Sequence, residues 1–227
     1  MRAVLFDVGN TLAHLDYAFL AEVARRFRPD VTADAVGRAD ALTRREGWAP
    51  SGDFFGGYFG ATAVRLGLGT AEAAAFAACA AAEHRRRPSG LWNRVDPDAA
   101  STLAALRARG MRLGVVSNAD GRVEAQLEGF GLRHHFEVVI DSQLAGVAKP
   151  APRIFELALG ALGLPAADAL YVGDIPEVDG AGARAAGMSA VLYDRWDVHA
   201  AACFPRIASL PALLALVPGG PARAAER

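Results

Sequence analysis

Five short apolar runs, each closed by a polar or glycine-containing turn, limit this chain more than any other feature of its sequence. They are Ala3-Val4-Leu5-Phe6 before Asp7, Leu113-Gly114-Val115-Val116 before Ser117-Asn118, Val138-Val139-Ile140 before Asp141, Ala169-Leu170-Tyr171-Val172 before Gly173-Asp174, and Ala190-Val191-Leu192-Tyr193 before Asp194. Runs apolar at nearly every position suit strands buried on both faces. Helical patterns lie between them. Asp98 to Arg109 carries Leu103 and Leu106, and Gly121 to Gly129 carries Val123 and Leu127. Pro152 to Leu162 carries Ile154, Phe155 and Ala158 behind an initial proline, and Asp179 to Ala186 is closed by Gly187. Strand–helix alternation predicts an α/β protein with a parallel sheet and right-handed crossovers. Ligands of such sheets gather at the carboxyl ends of the strands, where Asp7, Ser117, Asp141 and Asp174 fall.

The stretch between Asp7 and Leu113 breaks this rhythm, because it is too long for one crossover. It must hold a helical module of its own. Asp16 to Phe27, Thr32 to Arg45, Phe54 to Leu68 and Thr70 to Arg87 each read as helices. The module is placed at 14–93, the sheet domain at 1–13 and 94–217, and a flexible Gly/Pro/Ala/Arg-rich tail at 218–227.

Composition excludes several classes. The formal net charge is -1, which argues against a protein that coats nucleic acid or an anionic membrane. No run reaches the roughly 18 apolar residues of a spanning helix, and the apolar N-terminal run is too short for a signal peptide. Cys79 and Cys203 form no CxxC motif and imply no disulfide framework. The expected location is cytoplasmic. Of the 24 Lys+Arg residues only Lys149 is a lysine, so a lysine kept in an arginine-saturated chain draws attention to its position.

Taken singly, the polar residues at the strand ends have ordinary readings. Asp7 fits a turn, Ser117-Asn118 a side-chain-capped turn, Asp174 and Asp179 a helix cap, and Lys149 a solvated surface. Their combination in order resembles the haloacid dehalogenase-like (HAD) hydrolase superfamily. The motifs are Phe6-Asp7-Val8-Gly9-Asn10-Thr11-Leu12, Val115-Val116-Ser117-Asn118, Lys149-Pro150, and Val172-Gly173-Asp174-Ile175-Pro176-Glu177-Val178-Asp179 followed by a Gly/Ala-rich segment. The resemblance runs from residue 2 to about 194. It implies a Rossmann-like sheet of strand order 3-2-1-4-5, with the inserted module as the family's helical C1 cap.

The resemblance also implies roles. Asp7 would be the nucleophile of a phosphatase working through an aspartyl-phosphate. Mg²⁺ would be held by Asp7, the Gly9 carbonyl and Asp174, with Asp179 orienting metal waters or Lys149. Ser117, the amide of Asn118 and Thr11 would hold phosphate oxygens. Lys149 would be a compact charge beside Asp7. The implied substrate is a small phosphorylated metabolite, taken by a monomer or homodimer.

One position departs from the family's pattern. Its phosphatases carry a second Asp two residues after the nucleophile, which protonates the leaving oxygen; here that position is Gly9. Three readings follow: a phosphatase using good leaving groups or an acid from elsewhere, such as His14 or Asp16; a 2-haloacid dehalogenase, whose leaving halide needs no proton; or a weakened phosphate-binding protein. The intact acidic fourth motif favours the first. Residues 14–93 contain no lysine, which excludes the Schiff-base chemistry of the family's phosphonate-cleaving members. In the module, Arg44-Arg45-Glu46-Gly47-Trp48 and Asp53 to Tyr58-Phe59 read either as a helical core or as an arginine clamp with an aromatic wall.

Overall fold

The computed structural model describes residues 1–47 and 54–217. Trp48, Asp53 and the tail expected at 218–227 lie outside the described residues. Among the described residues eight strands occur in chain order: β1 (Ala3–Phe6), β2 (Ala13–Leu15), β3 (Trp92–Val95), β4 (Arg112–Ser117), β5 (Val138–Asp141), β6 (Ala169–Gly173), β7 (Ser189–Tyr193) and β8 (Arg206–Ile207). The main sheet has the order β5-β4-β1-β6-β7-β8, with every pairing parallel. Its first five members stand in the expected 3-2-1-4-5 arrangement. The sixth, β8, was not expected, because two residues carry no periodicity to read.

The pleat divides the core in two. Val4 and Phe6 of β1 join Val115 and Val172 on one face, where Leu103, Leu106, Val123 and Leu127 cover them from helices Ala99–Ala108 and Val123–Gly129. Ala3 and Leu5 point to the other face, with Val116 and Tyr171, under Ile154, Phe155 and Ala158 of helix Pro152–Leu162. Successive side chains on opposite faces are the strand's period of two, and both faces are apolar because both are covered. A fully buried Leu or Phe contributes about 1.5–3 kcal/mol, so each strand is fixed from two sides.

The chain divides into two compact units, 1–13 with 95–227, and 14–94. Among its described residues the second unit holds four helices: α1 (Tyr17–Arg25), α2 (Ala33–Glu46), α3 (Phe54–Arg65) and α4 (Thr70–Arg86). Leu20, Val36, Phe59 and Phe76 centre its own core. Thr32 caps α2 by accepting from the Ala35 amide. The short β2 and β3 pair as a two-stranded sheet where the chain passes between the units.

Candidate active site

Parallel strands deliver the proposed chemical groups to one end of the first unit. Asp7 follows β1, and its N–H donates to the Val172 carbonyl at 2.9 Å, in line with the sheet's ladder. Ser117 ends β4, next to β1. Asp174 follows β6, on the other side of β1. Lys149 arrives on the loop before helix Pro152–Leu162, and its peptide bond to Pro150 is cis.

These residues form one buried network. Ser117 Oγ donates to Asp7 Oδ1 at 2.7 Å, and Lys149 Nζ reaches the same oxygen at 2.9 Å. Among the described residues Asp7 Oδ2 has no hydrogen bond. The Lys149 ammonium also donates to Asp179 Oδ1 at 2.7 Å and to the Tyr171 hydroxyl at 2.9 Å. The other Asp179 oxygen accepts from the Asp174 and Ile175 amides at 3.0 and 2.9 Å. Asp179 therefore spends both oxygens on holding its neighbours.

That clamp explains two features of the local chain. A Cβ on Gly173 would run into the Asp179 carboxylate, so the position requires glycine. The helix expected from Asp179 begins later: Pro176–Gly180 forms a π-type turn and the α-helix covers Ala181–Ala185. The wider turn carries Asp179 back towards the amides that its carboxylate accepts, which a regular helix starting at Asp179 would not do.

Asn118 has a role that its motif alone did not disclose. Its side-chain Oδ1 accepts from the Lys149 N–H at 2.8 Å, and its Nδ2 donates to the Lys149 carbonyl at 2.9 Å. The paired bonds fix the lysine's backbone, so the Asn118 side chain is occupied in positioning. Thr11, expected among the phosphate contacts, is fully buried and its Oγ1 has no partner among the described residues. It presents no surface to a ligand in this arrangement. Asp141 also stands at a strand end, but its carboxylate accepts from Gly121, Val123 and Gln143 amides and serves the turns there.

Tyr171 was missed in the sequence because it sits inside an apolar run and reads as core. Its ring is core, packed edge-on to Phe155 at 5.0 Å, but its hydroxyl joins Lys149 to the Val116 carbonyl at 2.7 Å. Burial raises its pKa well above the ordinary phenol value, helped by Asp179 and Asp7, so it stays protonated.

The electrostatics leave the network unbalanced. Oxygens of Asp7, Asp174 and Asp179 lie within 4.8 Å of one another, and the Lys149 ammonium pairs with two of them, Asp7 and Asp179. Burial pushes the Asp7 carboxyl up; Lys149 opposes this, Asp179 adds to it, and the net shift is upward. Burial alone would lower Lys149, but Asp179 and Asp7 outweigh it and its pKa stands above the ordinary lysine value. The carboxylates gathered here contribute to both shifts, and a divalent cation would suit such a group. Asp7 Oδ2 and Asp174 are suited to hold such an ion through oxygen, the donor type that Mg²⁺ prefers.

The candidates in the helical unit fare differently. Asp16 caps α1 through the Phe19 amide and is gripped by Arg87 and Arg94, each at 2.9 Å. Burial would raise its pKa, but hydrogen bonds from Arg87, Phe19 and Arg94 bring it below the ordinary value, the wrong direction for a proton donor near neutral pH. His14 is buried at the start of this unit. Arg44 pairs with the fully buried Asp40 at 3.1 Å, and Arg65 bridges to Glu46 at 3.0 Å. Tyr58 and Phe59 lie in the unit's core. Within these segments Arg44, Tyr58 and Phe59 are buried, while Arg45, Glu46, Gly47 and Phe54 are exposed, and Arg44 is committed to an internal pair with Asp40.

A parallel sheet with a buried carboxylate at the first strand end, a hydroxyl at the second and an Asp pair after the fourth defines a class of α/β hydrolase. The haloacid dehalogenase-like hydrolase family model matches residues 1–187, and the chain belongs to that family. It is a hydrolase. Haloacid dehalogenase-like hydrolase domain-containing protein 3 of Bos taurus is 35% identical over 207 residues, covering 85% of this chain and 81% of that protein. The glyceraldehyde 3-phosphate phosphatase of Methanothermobacter thermautotrophicus is 31% identical over 202 residues, covering 86% of each. The solved structure of a HAD phosphatase from Thermococcus onnurineus superposes with a TM-score of 0.64 at 28% identity, covering 97% of this chain and 99% of that one. No helix among the described residues is long and apolar enough to cross a membrane.

Proposed function

We propose that the protein is a phosphatase that hydrolyses a small organic phosphate through an aspartyl-phosphate on Asp7. The observation that carries this reading is the division of labour on the Asp7 carboxylate. Oδ1 is held by Ser117 at 2.7 Å and Lys149 at 2.9 Å, which leaves Oδ2 for attack on phosphorus. A held carboxylate that meets phosphorus divides one hard displacement into two easier ones. The Asn118 backbone amide would receive one phosphate oxygen, and Ser117 another by turning its single proton from Asp7 Oδ1 when phosphate binds. Lys149 favours the ionised form of Asp7 against the effect of burial and would balance charge on the transferring group. Mg²⁺ would be held by Asp7, Asp174 and the Gly9 carbonyl, with Asp179 ordering the surroundings; bound there, it neutralises charge on the phosphoryl group. The helical unit at 14–94 would act as a C1-type cap that selects the substrate, in a cytoplasmic enzyme.

Gly9 sets the expected substrate range. With no side chain it cannot protonate a leaving alkoxide, which typically costs about 10²–10⁴-fold. Aryl and acyl phosphates, which leave as weak bases, are therefore favoured over alkyl phosphates. The same glycine favours a second reading, haloacid dehalogenation, because halide leaves without a proton. A panel of aryl, acyl and alkyl phosphates and 2-chloropropionate, run with Mg²⁺ and with EDTA, separates the two. Mg²⁺-dependent phosphate release, fastest on aryl and acyl esters, supports the phosphatase; chloride release that persists in EDTA contradicts it.

A further inference from the structure

We propose that Tyr171 is a positioning residue that sets the Lys149 ammonium against Asp7. The geometric claim stands alone; only its kinetic consequence rests on the phosphatase reading above.

An ammonium has three N–H donors and no acceptor. Lys149 sends them to Asp7 Oδ1 at 2.9 Å, Asp179 Oδ1 at 2.7 Å and the Tyr171 hydroxyl at 2.9 Å. The phenol has one proton, and the Val116 carbonyl at 2.7 Å can only accept it. That fixes the direction of the relay: the hydroxyl donates to Val116 and turns a lone pair to Lys149. Val116 precedes Ser117, whose Oγ donates to the same Asp7 oxygen at 2.7 Å. One strand end thus anchors both groups that hold Asp7 Oδ1. The Tyr171 ring is fully buried and packed against Phe155, so its hydroxyl has a fixed place from which to pull.

Without the hydroxyl, one N–H of Lys149 and the Val116 carbonyl would be buried without partners. The ammonium would then settle between two carboxylates, drawn towards Asp179 and away from Asp7. Tyr171→Phe keeps the ring and removes only this tether.

The chain's single lysine makes the effect visible. Protein labelled with [ε-¹⁵N]lysine carries one labelled Nζ, belonging to Lys149. In the substrate-free wild type, a threefold-bonded ammonium should give one signal with slow hydrogen exchange. In Tyr171→Phe the signal should shift and exchange faster, and kcat on p-nitrophenyl phosphate should fall about tenfold with KM changed less than twofold. An unchanged Nζ signal and an unchanged kcat, with only a lower melting temperature, would overturn the proposal and leave Tyr171 as packing. If Tyr171→Phe does not fold, 3,5-difluorotyrosine at position 171 keeps the shape and weakens the acceptor. It should still move the Nζ signal, and no movement would overturn the proposal. A wild type without Asp7-dependent turnover would refute the phosphatase reading, while the Nζ spectrum still decides the role of Tyr171.

Discussion

Two buried charge clusters, one in each unit, are built from similar parts and reach opposite balances. In the helical unit Asp40 meets the Arg44 guanidinium at 3.1 Å and accepts hydrogen bonds from the Tyr17 and Tyr58 hydroxyls. One carboxylate faces one cation, and burial together with Asp40 raises the Tyr58 pKa, keeping its proton in place. At the strand ends the Lys149 ammonium pairs with Asp7 and Asp179, and Asp174 lies beside them. The first cluster is complete as it stands and holds helices together. The second gathers three carboxylates within reach of one another, an arrangement that could hold a divalent cation.

Removing the cation from each cluster should expose this difference most strongly. Arg44→Met leaves Asp40 uncompensated and should cost about 3–5 kcal/mol, read from urea unfolding, with no recovery on adding Mg²⁺. Lys149→Met should cost a similar amount in EDTA and recover in part with Mg²⁺. Equal responses to Mg²⁺ would break the comparison.

Restoring an acid should come next in size. Gly9→Asp should raise turnover of alkyl phosphates by about 10²-fold, and of aryl or acyl phosphates by less. An equal gain on both classes would contradict the missing-acid account of Gly9.

The smallest expected effect concerns Asp16, a partnered carboxylate of the helical unit. Its folded pKa lies below the unfolded value of 3.8, so its contribution to stability is present above that value and is lost as pH falls through the folded pKa. Asp16→Asn should cost about 1 kcal/mol near neutral pH, since Asn still caps α1 but loses Arg87 and Arg94. Its stability curve should be flatter than wild type below pH 3.8. Parallel curves would show that Asp16 adds nothing through its charge.

How much of this was legible in the sequence depended on how many residues carried each signal. β1 and β4 to β7 announce themselves as apolar runs because both their faces are covered. β2 and β3 span three and four residues and lie far apart in the chain, so no local pattern reveals their pairing. The turn at Pro176–Gly180 was hidden because its shape follows from where the Asp179 carboxylate is needed, not from propensity. In the candidate site, Asp7, Ser117, Lys149, Asp174 and Asp179 could be named from their motifs. The roles of Tyr171 and the Asn118 side chain could not, because a hydroxyl inside an apolar run and an amide in a turn acquire partners only when distant segments meet.

On the proposed mechanism Asp7 turns over phosphate esters with the help of a divalent cation held at the strand-end cluster. Phosphate release from p-nitrophenyl phosphate by wild type and Asp7→Asn, each with Mg²⁺ and with EDTA, tests it most directly. Wild type should turn over in Mg²⁺ alone, with Asp7→Asn reduced by roughly 10⁴-fold or more. Turnover undiminished by both the substitution and the chelator would contradict it.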